Sequence, residues 1–340
     1  MDNNEATPSP DPATAATTET LAEIGRLFDA ADRILICGHE RPDGDCLGSQ
    51  VALSLALEAR GKQTRMFNAG PIQPMYRFLE GIERIENVFP ETWPYDLMVC
   101  VDCGELRRVG DNIAPTASVV NIDHHISNTM FGAANYVDRH AAATGELVYH
   151  LFETLGLELT REIAVCLMLA IVADTGGFRY ASTRMTTFDI AAALTRAGAD
   201  VTEITHHLFE RRPRQMVQLI GEVLCSIRME CDGRLAWSEI TQEAYQRLGG
   251  EVMEPEGLVG SLRGIQGVEV GCLLHETADG FCRASIRSKG KIDVSVIAQE
   301  LGGGGHRHAS GCFLKQPYAQ ARELVLATLH NYINNSPPDA

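Results

Sequence analysis

The first part of the chain alternates short apolar runs with longer helical patterns of hydrophobic residues. The short runs are apolar on both faces, which is typical of buried parallel strands. A helical pattern, LGSQVALSLALEARG (47–61), lies between two of them and predicts a helix that ends at Gly61. This order predicts an α/β fold with an open parallel sheet. The predicted strands are RILICG (33–38), QTRMFN (63–68), DLMVCVD (96–102) and SVVNIDH (118–124).

The pattern then becomes mostly helical, with a predicted apolar helix at REIAVCLMLAIVAD (161–174) and others on either side of it. A polar, basic segment, LFERRPRQ (208–215), indicates a linker. After it, strand-like and helix-like patterns predict a smaller α/β domain, with strands such as GFCRASIRSK (280–289). The predicted divisions are a disordered tail at 1–18, a first domain at 19–200, a linker at 201–219 and a second domain at 220–335.

Composition narrows the class of protein. With 340 residues, 45% hydrophobic and 22% charged, the chain can form two soluble domains. The N-terminal segment lacks the basic start and apolar core of a signal peptide, and the longest apolar run, 163–173, is about half a membrane span. We therefore expect a cytoplasmic protein that does not bind membranes.

The net charge of -16 argues against binding of long nucleic acids, although it allows a short phosphorylated substrate.

The ten cysteines are scattered, mostly within apolar runs, as reduced and packed thiols would be. One close pair, Cys100 and Cys103 in CVDC, also allows a redox pair or half of a zinc site. The sequence contains no second CxxC that would complete a zinc tetrad, so packing is the favoured interpretation.

Acidic and histidine residues cluster where apolar elements end. Because parallel strands share one carboxyl edge, the groups that follow three of the predicted strands are expected to meet in one cleft. A further carboxylate ends the helix at 161–174. These residues are His39, Asp43, Asp45, Asp102, Asp123, His124, His125 and Asp174.

Each of these residues alone also has a purely structural explanation. Asp45 can cap a helix, Asp43 can form a turn with Gly44, and Asp174 can belong to a helix end. Together, however, uncompensated buried charges would cost several kcal/mol each, and divalent cations would neutralise them. Ligation by Asp and His suits Mn²⁺ best, with Mg²⁺, Co²⁺ or Zn²⁺ as alternatives.

The motifs HERPDGD, VDCG, DHH and ADTGGF, followed by SIRS and GGGGHRHASG, resemble those of the DHH phosphoesterase family. Within it, the chain is similar to the branch that degrades short oligoribonucleotides (nanoRNA) and dephosphorylates 3′-phosphoadenosine 5′-phosphate. The resemblance covers about 20–330. It implies a catalytic DHH domain, a DHH-associated substrate-binding domain, a cleft between the two, and hydrolysis by two-metal activation of water.

The resemblance also implies individual roles. One metal would take His39, Asp43 and Asp102, and the other would take Asp45, Asp102, His124 and Asp174. Asp102 would thus bridge the metals and be catalytic. His125 would be catalytic and contact the phosphate, and Asp123 would support the histidines. Substrate would also be held by Arg287, Ser288, Gly303, Gly304, Gly305 and His306.

Some alternatives stay open at this point. The glycine run 302–305 can simply end a helix, and Arg283 can share the substrate site or be a solvated charge. A manganese pyrophosphatase or a phosphodiesterase of cyclic or linear dinucleotides is the alternative enzyme, and a non-catalytic nucleotide-binding module is the alternative of another class. The sequence is compatible with a homodimer but does not fix the oligomeric state, the preferred substrate or the direction of hydrolysis.

Overall fold

The computed structural model describes residues 12–248 and 258–336. It separates into two compact units, Met1–Arg211 and Arg212–Ala340. Each unit has its own six-stranded sheet and its own hydrophobic core.

The sheet of the first unit is entirely parallel, as the sequence predicts. Its strands are β1 (Arg33–Cys37), β2 (Gln63–Phe67), β3 (Ile85–Glu86), β4 (Leu97–Val101), β5 (Ser118–Asp123) and β6 (Ala134–Val137). Their order across the sheet is β3-β2-β1-β4-β5-β6, so the chain moves outward from β1 on one side and from β4 on the other. Ligands in open parallel sheets bind at such a reversal, beyond the carboxyl ends of the strands.

Helices cover this sheet, and most of the predicted helices are confirmed. The helix predicted at 161–174 has these bounds in the structure and is buried along most of its length, which explains its nearly continuous apolar sequence. The helices are α1 (Pro12–Ala30), α2 (Gly44–Ala59), α3 (Thr144–Leu155), α4 (Arg161–Asp174), α5 (Met185–Arg196) and α6 (Val201–Thr205), with short 3₁₀ helices at Pro74–Tyr76, Ile82–Arg84 and Leu106–Arg108.

The structure differs from the sequence prediction in two segments, the tail and the linker. Residues 12–18 of the predicted tail belong to α1, because Leu21, Ile24 and Phe28 form a buried apolar stripe that anchors this helix on the core. The earlier part of the predicted tail lies outside the described residues. The segment 201–219 is not extended: it contains α6, a π-helix at His206–Glu210 and the beginning of the next helix.

The second unit contains helices and a mixed sheet. Its elements are α7 (Arg214–Cys225), β7 (Arg228–Glu230), β8 (Leu235–Ile240), α8 (Gln242–Arg247), α9 (Leu258–Arg263), β9 (Val270–Glu276), β10 (Cys282–Ser288), α10 (Val294–Glu300), β11 (Gly304–His306), β12 (Ala309–Leu314) and α11 (Tyr318–Asn334). The strand order is β11-β12-β10-β9-β8-β7. Strands β8 and β9 are parallel, and the other neighbours are antiparallel. This confirms a smaller α/β domain.

Within the described ranges, every helix is too short or too polar to cross a bilayer.

Candidate active site

The first unit brings the predicted acidic and histidine residues together at the carboxyl edge of its sheet. They follow β1 and β4, lie at or just after the end of β5, or lie at the beginning of α2 and the end of α4. Their side chains contact one another. The residues are His39, Asp43, Asp45, Asp102, Asp123, His124, His125 and Asp174.

Asp102 lies at the centre of this cluster. Its Oδ2 atom is 3.3 Å from Nε2 of His39, and its Oδ1 atom is 3.6 Å from Nε2 of His124. The residue is 2% exposed and adopts a left-handed backbone conformation with φ 57°, which is uncommon outside glycine. The two carboxylate oxygens therefore face two different imidazoles.

The group around His39 includes Asp43. Nε2 of His39 is 3.8 Å from Oδ1 of Asp43. The same oxygen accepts hydrogen bonds from the backbone N–H groups of Asp45 at 3.1 Å and Cys46 at 3.0 Å. Asp43 is therefore the N-cap of α2 and also faces His39, so the capping interpretation and a ligand role are compatible.

The group around His124 contains Asp45 and Asp174. Nε2 of His124 is 3.7 Å from Oδ2 of Asp45 and 3.3 Å from Oδ2 of Asp174. One ligand atom from each of these three residues lies within 4.8 Å of the others. The other ring nitrogen, Nδ1, hydrogen-bonds the carbonyl oxygen of Ala141 at 3.2 Å, which turns Nε2 toward the carboxylates.

Thr144 is a site residue that sequence reasoning missed. Its hydroxyl donates to Oδ1 of Asp102 at 3.1 Å, and its backbone N–H donates to Oδ2 of Asp45 at 2.6 Å. The N–H of Gly145 donates to Oδ1 of Asp45 at 2.9 Å. The N-terminus of α3 thus holds a buried carboxylate. The sequence signal available for this role was TGEL (144–147), which stands at the start of a predicted helix.

Asp123 contacts the second of the adjacent histidines. Its Oδ1 atom accepts a hydrogen bond from Nδ1 of His125 at 2.7 Å, and its Oδ2 atom accepts one from Nδ2 of Asn128 at 2.6 Å. Nδ1 of His125 is also 3.5 Å from Oδ1 of Asp102. Asp123 therefore fixes the orientation of the His125 ring beside the central carboxylate.

Electrostatics shift the pKa values of the imidazoles upward. Burial alone would lower the pKa of His39, but its hydrogen bonds to Asp102 and Asp43 raise it to about 9. Burial is likewise outweighed at His124, where the charges of Asp174, Asp45 and Asp102 raise the pKa to about 10. Without a metal ion, both rings are held in the charged form by the surrounding carboxylates.

The carboxylates are perturbed in opposite directions. Burial and the charges of Asp102 and Asp174 raise the pKa of Asp45, and burial raises that of Asp174 to about 6. At Asp43, burial alone would raise the pKa, but His39 and the backbone N–H of Cys46 outweigh it, so the pKa is lowered. At Asp123, His125 and Asn128 overcome burial in the same way.

The donor set fits divalent cations. Five carboxylates face three imidazoles, so the ionised carboxylates leave an excess of negative charge even with every ring protonated. Oxygen and imidazole donors at these separations suit Mn²⁺, Mg²⁺ or Co²⁺.

The substrate-binding residues predicted in the second unit lie on or directly beside β10 and β11, the two strands that flank β12. Arg287 of β10 and His306 of β11 both pair with Ala309 of β12, so they share one face of the sheet. Ser288 is 1% exposed, and its hydroxyl donates to the carbonyl oxygen of Arg307 at 3.2 Å. Arg287 and His306 thus form a row across the sheet, whereas the Ser288 side chain contributes to the local structure.

Two of the glycines near this row differ in their packing. A Cβ atom on Gly303 would lie 2.1 Å from the carbonyl oxygen of Gly311 and 2.6 Å from Cβ of Cys312. A Cβ atom on Gly304 would meet no atom within 4 Å. The glycine at 303 is therefore required by close packing against β12, and that at 304 is not.

We expect Gly303→Ala to destabilise the second unit by about 1 to 3 kcal/mol through overpacking, while Gly304→Ala changes its stability by less than about 0.5 kcal/mol. Urea unfolding followed by the fluorescence of Trp237, in a Trp93→Phe background, measures this difference. Equal unfolding midpoints for the two variants would contradict the packing argument.

Comparison with known proteins agrees with the motifs. The model of the DHH family N-terminal domain matches residues 33–171, and that of the DHHA1 domain matches 239–335. The bifunctional oligoribonuclease and PAP phosphatase NrnA of Thermus thermophilus is 33% identical over 330 residues, which cover 96% of this chain and 97% of that protein. The chain belongs to the DHH family. The resemblance inferred from the sequence motifs is thus confirmed.

Two further relatives of this DHH-family chain extend the comparison. The protein of the same name from Bacillus subtilis is 29% identical, with 85% of this chain and 91% of that protein covered. The crystal structure of an exopolyphosphatase-related protein from Bacteroides fragilis has a TM-score of 0.84 and 25% identity, and covers 93% of this chain and 97% of that one. The structural similarity therefore extends over both units.

Proposed function

We propose that this DHH-family chain is a metal-dependent phosphoesterase that hydrolyses short oligonucleotides to mononucleotides and 3′-phosphoadenosine 5′-phosphate to AMP. The observation that carries the proposal is the position of Asp102, whose two oxygens face two separate sets of ligands. The near full-length similarity to relatives named oligoribonuclease and PAP phosphatase supports this substrate class.

The geometry supports one cation at each side of Asp102. His39 and Asp43 would complete one site, and Asp45, His124 and Asp174 would complete the other. When bound, two cations in such a site lower the pKa of water and stabilise the charge that develops at phosphorus. We propose Mn²⁺ as the native metal, because the ligands are carboxylate oxygens and imidazole nitrogens.

The remaining residues of the first unit would position these groups. The hydroxyl of Thr144 and the N-terminus of α3 hold Asp102 and Asp45 in place, so neither carboxylate has to reorganise during the reaction. Asp123 holds Nδ1 of His125, which leaves Nε2 of that ring to contact a phosphoryl oxygen of the substrate.

The second unit would bind the part of the substrate that does not react. The guanidinium group of Arg287 can form paired hydrogen bonds with a phosphate, and His306 lies in the same row of the sheet. Gly303, Gly304 and Gly305 allow the backbone to approach a ligand closely. Ser288 would support this arrangement through its bond to the backbone of Arg307.

Asp102→Asn should reduce Mn²⁺-dependent hydrolysis of a dinucleotide by at least about 10³-fold, because a metal clamp contributes several kcal/mol to transition-state stabilisation. Asparagine preserves the shape of the side chain and tolerates the left-handed backbone at this position. The matched control is Asp111→Asn, which changes an exposed carboxylate. Release of mononucleotides with and without chelator is the measurement.

A folded Asp102→Asn variant that retains most of the activity would exclude the bridging role. Circular dichroism establishes that the variant is folded. Pyrophosphate and a cyclic dinucleotide, tested beside the dinucleotide and 3′-phosphoadenosine 5′-phosphate, distinguish the proposed substrates from the alternative enzymes. Stoichiometric binding of a dinucleotide without turnover would instead favour a nucleotide-binding module.

Activity should fall as the oligonucleotide grows beyond a few nucleotides. The net charge of -16 disfavours a long polyanion, and an aromatic content of 6% provides little surface for base stacking along a strand. Initial rates on a dinucleotide, a pentanucleotide and a long single strand measure the effect. Added salt should narrow the difference, since it screens repulsion. Equal rates on all three at low salt would refute the expectation.

A further inference from the structure

Cys46 lies beside the proposed cation sites but has no role in the proposed reaction. It follows Asp45 in the first turn of α2 and is fully buried. One ligand atom from each of His39, Cys46 and Asp102 lies within 4.8 Å of the others. Two ligands of one cation lie at most about 4.6 Å apart, because each lies about 2.0 to 2.3 Å from the metal, so the three atoms are near the separations that a shared ion requires. The sulfur is therefore placed to join two of the proposed ligands on a single ion.

The surroundings of Cys46 fix its sulfur atom in this position. A Cβ atom on Gly38 would lie 2.2 Å from Sγ of Cys46, so the sulfur occupies space that only glycine leaves open. Nδ2 of Asn68 donates to the sulfur at 3.5 Å, and the backbone N–H of His39 also hydrogen-bonds it. N–H groups directed at sulfur are the outer contacts that orient and tune metal-bound thiolates.

We propose that His39, Cys46 and Asp102 form a binding site for thiophilic divalent cations, of which zinc is the biologically common example. A thiolate donor selects such ions, whereas Mn²⁺ and Mg²⁺ favour oxygen donors. On binding, the S–H bond of Cys46 is replaced by a sulfur–metal bond and the proton passes to solvent, with no change in oxidation state.

Occupancy of this site has a consequence for catalysis. His39 and Asp102 cannot serve a thiophilic ion at Cys46 and a catalytic ion in their proposed geometry at the same time. Zinc bound through Cys46 would therefore inhibit the enzyme even though zinc is itself a divalent cation. This consequence rests on the proposed function, whereas the binding site itself does not.

A cadmium titration of the full-length, metal-free protein tests the site directly. Cd²⁺ bound by a thiolate gives an ultraviolet charge-transfer band that oxygen and nitrogen ligands do not give. Because the exposed Cys225 and the partly exposed Cys231 could also bind Cd²⁺, both are changed to serine in every protein of this titration. In this background the chain with Cys46 intact should show the band, and Cys46→Ala should lack it. Cys100→Ala is the matched control, because Cys100 is an equally buried thiol of the same unit that lies outside the three-residue group. This control should retain the band.

Cys46→Ser provides a second variant of similar size, and it should also lack the band. Persistence of the band in folded Cys46→Ala or Cys46→Ser, or its absence from the chain with Cys46 intact, would overturn the proposed site. Neither result depends on whether the protein hydrolyses any nucleotide.

The inhibition is tested separately on Mn²⁺-dependent dinucleotide hydrolysis. Removal of Cys46 should raise the zinc concentration for half-inhibition by roughly 10-fold or more, measured relative to the uninhibited rate of each variant. Cys100→Ala should be inhibited like wild type. Equal zinc sensitivity of wild type and Cys46→Ala would overturn the inhibitory role. A complete lack of hydrolysis in wild type would count against the proposed function, while the cadmium band would still decide the binding site.

Discussion

Asp102 is a buried carboxylate whose two oxygens face His39 on one side and His124 on the other. A carboxylate in this position is costly unless positive charge or hydrogen bonds compensate it. Thr144 supplies one hydrogen bond, but burial and the charges of other nearby carboxylates raise the pKa of Asp45 and Asp174. The requirement for compensating charge organises the rest of the site and favours divalent cations as its occupants.

The fold meets this requirement with the ends of regular elements. Strand β4 ends one residue before Asp102, β5 ends at Asp123, and α4 ends at Asp174. The N-terminus of α2 bears Asp43 as its cap, and the N-terminus of α3 donates two N–H groups to Asp45. Rigid strands and helices thus position the ligands, and helix N-termini stabilise the carboxylates that the cluster concentrates.

The sequence revealed much of this arrangement because its features are local or repeated. Mostly apolar runs predicted β1, β2, β4 and β5, and strand ends located the ligands. Short elements escaped detection: β3 and β11 contain too few residues for a periodic pattern. Thr144 was missed because its role depends on a contact with Asp102, 42 residues away in the chain. Cys46 appeared to be a packed thiol, since only the tertiary structure shows its distance from His39 and Asp102.

The central claim is that Asp102 bridges two cations. Anomalous diffraction at the manganese absorption edge, from crystals of the full-length protein grown with Mn²⁺, tests it most directly. We expect two anomalous peaks, each within coordination distance of a different Asp102 oxygen, one beside His39 and the other beside His124. A single peak, or two peaks of which one does not contact Asp102, would contradict it.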